Sequence, residues 1–215
     1  MNKPRDLAPE RALAREVDVE ARHAAILGRP PRLEPLDAAQ FSEEQTAFVR
    51  ELWEAMGIDP LPELPEYFRT MLRYPELVRR QAEMSTTLNR GKLPFRFREL
   101  IILRVAWLCQ APFEWAQHVK AAKRAGLSSE EIDRVTRGST DPAWGPAERA
   151  ILRAVEELFE DALISDETFA ELERHFTMEQ LVEIPFTVGL YQATAYLQNS
   201  WRFRLMPGAG GLIDR

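Results

Sequence analysis

The sequence predicts an all-α fold, and three observations lead to that prediction. Apolar residues recur at helical spacing in one segment after another, whereas the alternation typical of a half-buried strand is missing. Proline, glycine and capping residues separate these segments at helical lengths. The most apolar segment, residues 95–109, is hydrophobic on most sides, which is typical of a helix in the middle of a bundle. We therefore expect about eight to ten helices, with this one at the centre.

The first forty residues differ from the rest. Residues 8–27 are polar and compatible with a helix, and the proline-rich stretch GRPPRLEPL after them predicts an extended linker. This region has too little apolar content for a core of its own. We divide the chain into an N-terminal arm, residues 1–40, and a helical domain, residues 41–215. We expect the arm to wrap a neighbouring subunit.

Capping residues predict where the helices of the domain begin. Ser42 and Gln45 form a capping box, and Ser128 is followed by Glu131 in the same pattern. Two helices precede the apolar one, in EYFRTMLRY and ELVRRQAEMSTTLNR. Pro94 suits the first turn of the apolar helix.

The remaining helices follow from the same signals. Pro112 opens the helix after the apolar one, Ser165 caps a later helix, and Thr177 starts the last long one. Pro185 predicts a kink in that last helix. The tail MPGAGGLIDR is expected to be loose.

Composition excludes several classes of function. The formal charge is −6 and the isoelectric point is about 5.3, so the chain lacks the basic surface of a nucleic-acid-binding protein. No apolar run is long enough to span a bilayer, and the charged N-terminus lacks the apolar core of a signal peptide. One cysteine allows no internal disulfide, and no Cys/His spacing predicts a metal site. We expect a soluble cytoplasmic protein with no partner among nucleic acids or membranes.

One polar pair stands out beside the apolar helix. Glu114 and His118 lie four residues apart, so they share a helix face, and Phe113 and Trp115 flank the glutamate. Pro112 places Glu114 in the first turn, where the helix dipole favours the ionised carboxylate, whereas burial favours the neutral acid. A surface pair that contributes about 0.2–0.5 kcal/mol is the alternative to a site. Periodicity alone leaves both interpretations open.

The chemistry of the pair suits proton transfer. Histidine exchanges a proton near neutral pH, and a carboxylate within reach orients the ring and raises its basicity. Glu99, at the start of the apolar run, would come near the same place if the two helices were antiparallel. We take His118, Glu114 and Glu99 as the candidate catalytic residues.

The run RELIILRVAWLCQAPFEWAQHVKAAKRAGLSSEEIDRV resembles the carboxymuconolactone decarboxylase family, within the AhpD-like all-α superfamily. The shared marks are RE before the apolar helix, the EW--H motif, and A--AGLS-EEI after it. The resemblance continues through LVEIPFTVGLYQATAYLQNS and covers roughly residues 62–205. It implies an AhpD-like helical bundle that associates through its helices into a homo-oligomer, either a dimer, a trimer or a hexamer.

The peroxidase branch of this superfamily carries a glutamate, then Cys-x-x-Cys, then a histidine three residues after the second cysteine. When His118 is placed on that histidine, Glu114 falls on the second cysteine, Ala111 on the first and Glu99 on the glutamate. Both thiols that peroxide reduction needs are therefore missing. Cys109 lies outside the motif and is interpreted as a small buried hydrophobe.

The decarboxylase branch keeps EW--H without cysteines and needs no cofactor. The resemblance thus implies a cofactor-independent carboxy-lyase that acts on a cyclic or aromatic carboxylate or lactone, a small-molecule substrate. In that scheme His118 is the general acid or base, Glu114 positions it or exchanges its proton, and Glu99 is a supporting partner or relay.

A carboxylate substrate also needs a cation, for which a bidentate guanidinium is well suited. The candidates are Arg98, Arg104, Arg202 and Arg204. Further pocket candidates are Trp107, Tyr191, Tyr196 and Asn199, and Trp53, Tyr67 and Phe68 would join Trp107 around a flat apolar ligand. The alternatives are salt bridges for the arginines and ordinary core packing for the others.

Two other functions stay open from the sequence. A thiol-based peroxidase would require an exposed Cys109 with a depressed pKa. A non-catalytic helical oligomer, with the arm bound to a partner subunit, would have a filled space around His118.

Overall fold

A computed structural model describes residues 17–56 and 64–215 of the chain, with the side chains of residues 52–56 left out. Within these residues the fold is all-α, as the sequence predicted, with ten α-helices and two short 3₁₀ turns. The helices are α1 (Val19–Ile26), α2 (Glu43–Met56), α3 (Glu66–Met71), α4 (Pro75–Asn89), α5 (Phe95–Leu108), α6 (Pro112–Arg124), α7 (Ser129–Arg137), α8 (Pro146–Asp161), α9 (Asp166–Glu173) and α10 (Met178–Trp201). Among the described helices, none is long and apolar enough to cross a bilayer.

Helix α5 is the centre of the bundle. It packs against α6, α8 and α10, and every residue from Arg98 to Leu108 is buried. A helix with partners on so many sides needs apolar side chains around most of its circumference, which is the pattern the sequence shows. Polar residues on such a helix are therefore enclosed along with the apolar ones.

The predicted capping residues begin the helices as expected. The side chains of Ser128, Ser165 and Thr177 accept hydrogen bonds from the first turns of α7, α9 and α10. Ser42 and Gln45 bond reciprocally at the start of α2. Helix α10 runs on through Pro185.

The C-terminal tail is ordered, which corrects the expectation that it is loose. Leu212 is fully buried, and the indole Nε1 of Trp115 donates to the carbonyl of Asp214 at 3.0 Å. Arg215 donates through Nε to Oδ1 of Asp133 at 2.8 Å. The tail is fixed because it buries an apolar anchor and supplies the acceptor that a buried indole needs.

The described part of the arm lies against its own chain. Arg22 donates through Nε to the carbonyl of Gln110 at 2.8 Å, and the backbone N–H of Leu212 donates to Nε2 of His23 at 3.1 Å. Ile26 is buried. Residues 1–16 lie outside the described part, so the wrapping of a neighbouring subunit stays a prediction.

The outer face of α10 is apolar and exposed. Val182, Phe186 and Tyr196 are each more than half exposed along this face. The predicted helix-mediated homo-oligomer stays a prediction, and this stripe is an apolar helix face that such an oligomer could cover.

Candidate active site

The site is built on the hairpin of α5 and α6. Residues 109–111 join the two helices, and Gln110 adopts a left-handed backbone conformation with φ of 49°. The backbone N–H of Ala111 returns to the carbonyl of Ala106 at 2.9 Å and closes the turn. Pro112 then occupies the first helical position of α6, as predicted. The tight turn folds α6 back along α5, so residues of one helix can face residues of the other.

Glu99 and His118 meet across this hairpin. Oε2 of Glu99 lies 2.7 Å from Nδ1 of His118, which is a charge-assisted hydrogen-bond distance. Glu99 is only 2% exposed, whereas the His118 side chain keeps 18% of its surface exposed. The buried Glu99 therefore fixes the orientation of the His118 ring, while part of the ring remains exposed to solvent.

Glu114 approaches the other ring nitrogen. Its Oε1 lies 3.5 Å from Nε2 of His118, too far for a strong hydrogen bond. Glu114 is 2% exposed, and the side chain of Gln198 on α10 acts to lower the pKa of its carboxyl. The imidazole thus lies between two buried carboxylates, with Nδ1 committed to one and Nε2 loosely held by the other.

Burial and charge move the pKa values of this group in consistent directions. Burial raises the pKa of Glu114 above its ordinary value and outweighs the opposing effects of His118 and Gln198. Burial would lower the pKa of His118, but the hydrogen bond with Glu99 and the charges of both carboxylates together raise it. The sequence left the state of Glu114 open between helix dipole and burial, and burial prevails.

Two tyrosines line the same group. The ring of Tyr191 packs edge-on against His118 with 5.1 Å between centroids. Burial raises the pKa of Tyr191 and of Tyr67 well above the usual value, and the charge of Glu114 adds to the effect in both. Both phenols therefore stay protonated.

Tyr67 is fixed by a chain of polar contacts. Its hydroxyl donates to Oε1 of Gln81 at 2.7 Å, and Nε2 of Gln81 donates to Thr194 at 3.1 Å. The Thr194 hydroxyl donates to the carbonyl of Leu190 at 2.8 Å. Edge-on contact with Phe203 at 5.6 Å holds the other side of the Tyr67 ring. This chain ties α3, α4 and α10 together behind Glu114.

Arg98 is the predicted arginine that the structure brings to the site. Its Nε lies 3.9 Å from Oε1 of Glu99, and Nη1 donates to the carbonyl of Asn89 at 3.1 Å. The guanidinium also lies over the ring of Phe95 at 4.8 Å. It is close enough to His118 for its charge to oppose protonation of the ring and so lower the pKa of His118.

Arg104 is not brought to this group. It lies five residues after Glu99, which turns it roughly 140° around α5. There it pairs with Glu156 at 2.8 Å and donates to the carbonyls of Val135 and Thr136, fully buried. A side chain at Gly138, where φ is 79°, would collide with this ion pair. Arg104 joins α5 to α7 and α8, which is the salt-bridge alternative to substrate binding.

Four other predicted residues lie elsewhere. Trp107 packs against Trp115 near the C-terminal tail, and Asn199 donates to the carbonyl of Cys109 at 3.0 Å. Tyr196 is 55% exposed on the outer face of α10, and Arg204 pairs with Glu66 at 2.9 Å. The structure gives none of these four a contact with His118.

The remaining candidates from the sequence are Arg202, Phe68, Trp53 and Cys109. Arg202 caps the C-terminus of α10 in a left-handed conformation, and Phe68 packs against Tyr67. The side chain of Trp53 lies outside the described residues. Cys109 is buried at the end of α5, as the sequence interpretation expected.

Gln198, Gln81 and Thr194 were missed by sequence reasoning. Tyr191, Thr194 and Gln198 follow the inner face of α10 at i, i+3 and i+7 spacing, which is a usable signal once that face is known. No group of three or more metal-ligating side chains is assembled within the described part of the chain.

Comparisons with known proteins agree with this architecture. The model of the carboxymuconolactone decarboxylase family matches residues 75–157, which include Glu99, Glu114 and His118. This part of the chain is similar to that family. The family match ends before α10, so Tyr191 and Gln198 lie beyond it. No curated protein is a significant match to the chain.

Solved structures share the fold. An Agrobacterium tumefaciens protein of unknown function, described in terms of antioxidant defence and AhpD, is 26% identical over 62% of this chain and 93% of its own, with a TM-score of 0.58. An uncharacterised peroxidase-related protein with an AhpD core from Ralstonia eutropha is 17% identical over 83% of this chain and 94% of its own, with a TM-score of 0.68.

The debrominase Bmp8, solved as a C82A variant with 2,3,4-tribromopyrrole, is 17% identical over 82% of this chain and 92% of its own, with a TM-score of 0.65. At that identity, the likeness of the last two concerns the fold alone. The family match and the shared fold place the chain among AhpD-like helical proteins, and the chemistry must be argued from its own residues.

Proposed function

We propose that this protein is a cofactor-independent carboxy-lyase that decarboxylates a cyclic or aromatic carboxylate or lactone by proton transfer at His118. The observation that carries the proposal is that the two ring nitrogens of His118 have contacts of very different length. Nδ1 is fixed by Glu99 at 2.7 Å, whereas Nε2 has only the distant Glu114 at 3.5 Å. A ring held at one nitrogen presents the other to a substrate.

The raised pKa of His118 supports the role of general acid. The hydrogen bond with Glu99 and the charges of both carboxylates favour the imidazolium and so raise the pKa of the ring. A proton on Nε2 then lies at the partly exposed part of the site, where a substrate carbon can approach. Glu99 keeps the ring orientation during transfer, since Nδ1 retains its own proton and its hydrogen bond.

The reaction balances without an added cofactor. The bond between the ring carbon and the carboxylate breaks, CO₂ leaves, and the electron pair passes into the substrate's carbonyl system as an enolate or dienolate. His118 then transfers its Nε2 proton to the carbon. Water restores that proton after the product leaves, and the raised pKa of Glu114 allows it to exchange protons with the ring.

Arg98 is the cation that best fits the substrate carboxylate in this scheme. It lies beside Glu99, and its buried Nε has no hydrogen-bond partner among the described residues. A guanidinium edge with a donor to spare can bind one carboxylate oxygen. The Tyr67 and Tyr191 rings are suited to the faces or edges of a flat ligand.

The test compares two histidine substitutions. His118→Gln should lower kcat/KM by about 10²–10⁴-fold on whichever cyclic or aromatic carboxylate the wild-type protein decarboxylates, measured as CO₂ release. His175→Gln is the matched control because His175 also lies four residues after a glutamate, Glu171, just beyond the end of α9. Turnover that survives unchanged in His118→Gln would contradict the proposal.

A second experiment separates this proposal from thiol chemistry. Cys109 is the chain's single cysteine and is buried, so native protein should react slowly with a thiol reagent, and Cys109→Ala should keep its lyase turnover. Rapid alkylation together with peroxide reduction would instead favour the peroxidase alternative.

A further inference from the structure

A cavity of about 410 Å³ lies where the arm meets the helical domain, and the proposed reaction does not use it. Its lining comes from residues 34–37 and Gln40 on one side of the sequence, and from Arg69, Arg73 and Arg204 on the other. None of these residues is hydrogen-bonded or ion-paired to the three candidate catalytic residues within the described part of the chain. The cavity is therefore a place separate from the candidate active site.

Hydrogen bonds between distant segments hold the cavity together. The backbone N–H of Leu36 donates to the carbonyl of Arg69 at 3.3 Å, and Nη2 of Arg73 donates to the carbonyl of Glu34 at 2.8 Å. Arg204 follows the end of α10 and pairs with a glutamate of α3. These bonds bring three guanidinium groups, from α3, from the turn after it and from the segment after α10, to one cavity.

Two of these guanidinium groups have donors to spare. Arg73 uses only Nη2, so its Nε and Nη1 make no hydrogen bond within the described residues. Arg204 donates through Nε to Oε2 of Glu66 at 2.9 Å, which leaves its Nη1 and Nη2 without a bond there. Both arginines are exposed, so a ligand from solvent can reach these nitrogens. An arginine offers five N–H donors in a fixed fork, and here most of them face no acceptor of the described chain.

The acidic residues nearby leave this positive charge largely uncompensated. Glu66 is already paired with Arg204. Asp37 is 79% exposed, and its Oδ1 lies 4.0 Å from Nη1 of Arg69, beyond hydrogen-bond distance. Glu34 contacts Arg73 through its backbone carbonyl and not through its carboxylate. In the described part of the chain, Arg73 consequently has no ion-pair partner.

Further positive charge lies along the same linker. The backbone N–H of Arg32 donates to the carbonyl of Trp201 at 3.0 Å, which brings the linker beside Arg202. Desolvation lowers the pKa of Arg202, and the charges of Arg32 and Arg29 lower it further. The side chains of these three arginines form no ion pair with the described acidic residues. This region is thus rich in cations, although the formal charge of the chain is −6.

We propose that this cavity binds a phosphate group, either as free phosphate or as part of a small phosphorylated molecule, through Arg73 and Arg204 with Arg69 beside them. A carboxylate has two oxygens and is matched by a single guanidinium fork. A phosphate group offers at least three acceptor oxygens and a charge of about −1.5 to −2 at pH 7, which suits several guanidinium groups at once. Bound phosphate would join the arm to the segment after α10 and so stabilise the folded chain.

Calorimetric titration of the full-length wild-type protein tests the proposal directly. Inorganic phosphate, glycerol 3-phosphate and acetate are added in turn at pH 8 and at constant ionic strength, which removes differences in general screening. At least one of the two phosphate compounds should bind with a dissociation constant of about 1 mM or tighter, and about tenfold more tightly than acetate.

The ratio between the two phosphate compounds identifies the source of the group. Tighter binding of glycerol 3-phosphate supports a phosphorylated small molecule, whereas equal or tighter binding of inorganic phosphate supports the free ion. If neither compound binds, or if acetate binds as tightly as both, the cavity is not a phosphate site.

Three variants locate the binding. Arg73→Gln and Arg204→Gln should each weaken the binding of phosphate about tenfold, because each removes a charged donor. Arg90→Gln is the matched control, since it loses the same charge at the exposed end of α4, outside the cavity, and it should stay within about twofold of wild type. Unchanged affinity in both cavity variants overturns the assignment, and if they do not fold, the wild-type titrations decide.

A fourth variant separates this proposal from the lyase function. His118→Gln should bind phosphate as the wild type does, because His118 lies outside the cavity. If phosphate binding is lost in His118→Gln, the anion binds at the candidate active site and the cavity proposal is wrong. Loss of turnover in that variant together with unchanged phosphate binding supports both proposals.

Discussion

The molecule contains two Glu–His pairs at the same helical spacing, and they differ in almost everything else. Glu114 and His118 lie on α6, whereas Glu171 lies in the last turn of α9 and His175 lies two residues after that helix ends. The side chains of the α9 pair are 33% and 29% exposed, whereas those of the α6 pair are 3% and 18% exposed. Spacing alone treats the two pairs as equivalent.

The difference in burial reverses the pKa shift of the glutamate. The hydrogen bond from His175 lowers the pKa of Glu171, because water remains available to both partners. Burial raises the pKa of Glu114, although a histidine lies nearby. The same two residue types form a partly exposed hydrogen-bonded pair in one place and, in the other, a buried pair whose glutamate has a raised pKa.

The partners differ as well. In the α9 pair, Nη1 of Arg174 lies 2.5 Å from Oε2 of Glu171, so a positive charge lies beside the glutamate. Glu99 joins the α6 pair and supplies a second negative charge, from a different helix. A ring between two carboxylates has a raised pKa and a fixed orientation, which a general acid needs.

The largest expected difference between the pairs is in activity. Glu99→Gln should lower kcat/KM by about 10²-fold, because the ring loses both its orienting acceptor and the charge that stabilises its protonated form. Glu171→Gln should stay within about twofold of wild type. Steady-state decarboxylation assays on both variants make the comparison, and equal rates would remove the distinction between the pairs.

A smaller effect is expected in stability. Glu114→Gln should raise the free energy of unfolding at pH 8 by about 1 kcal/mol, because it removes a buried carboxylate and leaves a neutral amide. Glu171→Gln should leave it unchanged or slightly lower. Urea denaturation measures both, and a destabilised Glu114→Gln would show that the carboxylate is fully compensated.

The smallest expected effect is a slope of stability with pH. His118 has a folded pKa above its unfolded value of 6.5, so its contribution is complete below pH 6.5 and is lost as pH rises through the folded pKa. Each pH unit between the two pKa values corresponds to about 1.4 kcal/mol.

The contribution of the α9 pair to stability should change with pH in the opposite direction. Glu171 has a lowered pKa, so its contribution is present above pH 4.5 and is lost as pH falls through the folded pKa. Urea denaturation of the wild type and of His118→Gln from pH 6 to pH 9 checks the first slope, which should flatten in the variant. A variant that retains the full decline would assign it to another group.

Local signals carried most of the fold. Capping residues and proline located the starts of α6, α7, α9 and α10, because these signals act within one helical turn. The enclosed α5 followed from its lack of a polar face. The packed tail around Leu212 was missed because its anchors, such as Trp115, lie about a hundred residues away in the sequence.

The candidate site divides in the same way. The proximity of Glu114 to His118 was predicted because they are four residues apart, and residues at this spacing on one helix share a face. The approach of Glu99 depends on how the α5–α6 hairpin closes. Arg98 and Arg104 were equivalent as predicted cations, yet they point to different neighbours because six residues of α5 turn them to separate faces.

The sequence by itself therefore determined an all-α chain with an enclosed central helix, a family resemblance, and an acid–base pair without the thiols of the peroxidases. Only the tertiary structure decided which Glu–His pair is buried and that a second carboxylate reaches Nδ1 of His118. The reason is that helical spacing is set by neighbours along the chain, whereas desolvation and pKa shifts are set by whichever helices pack over a side chain.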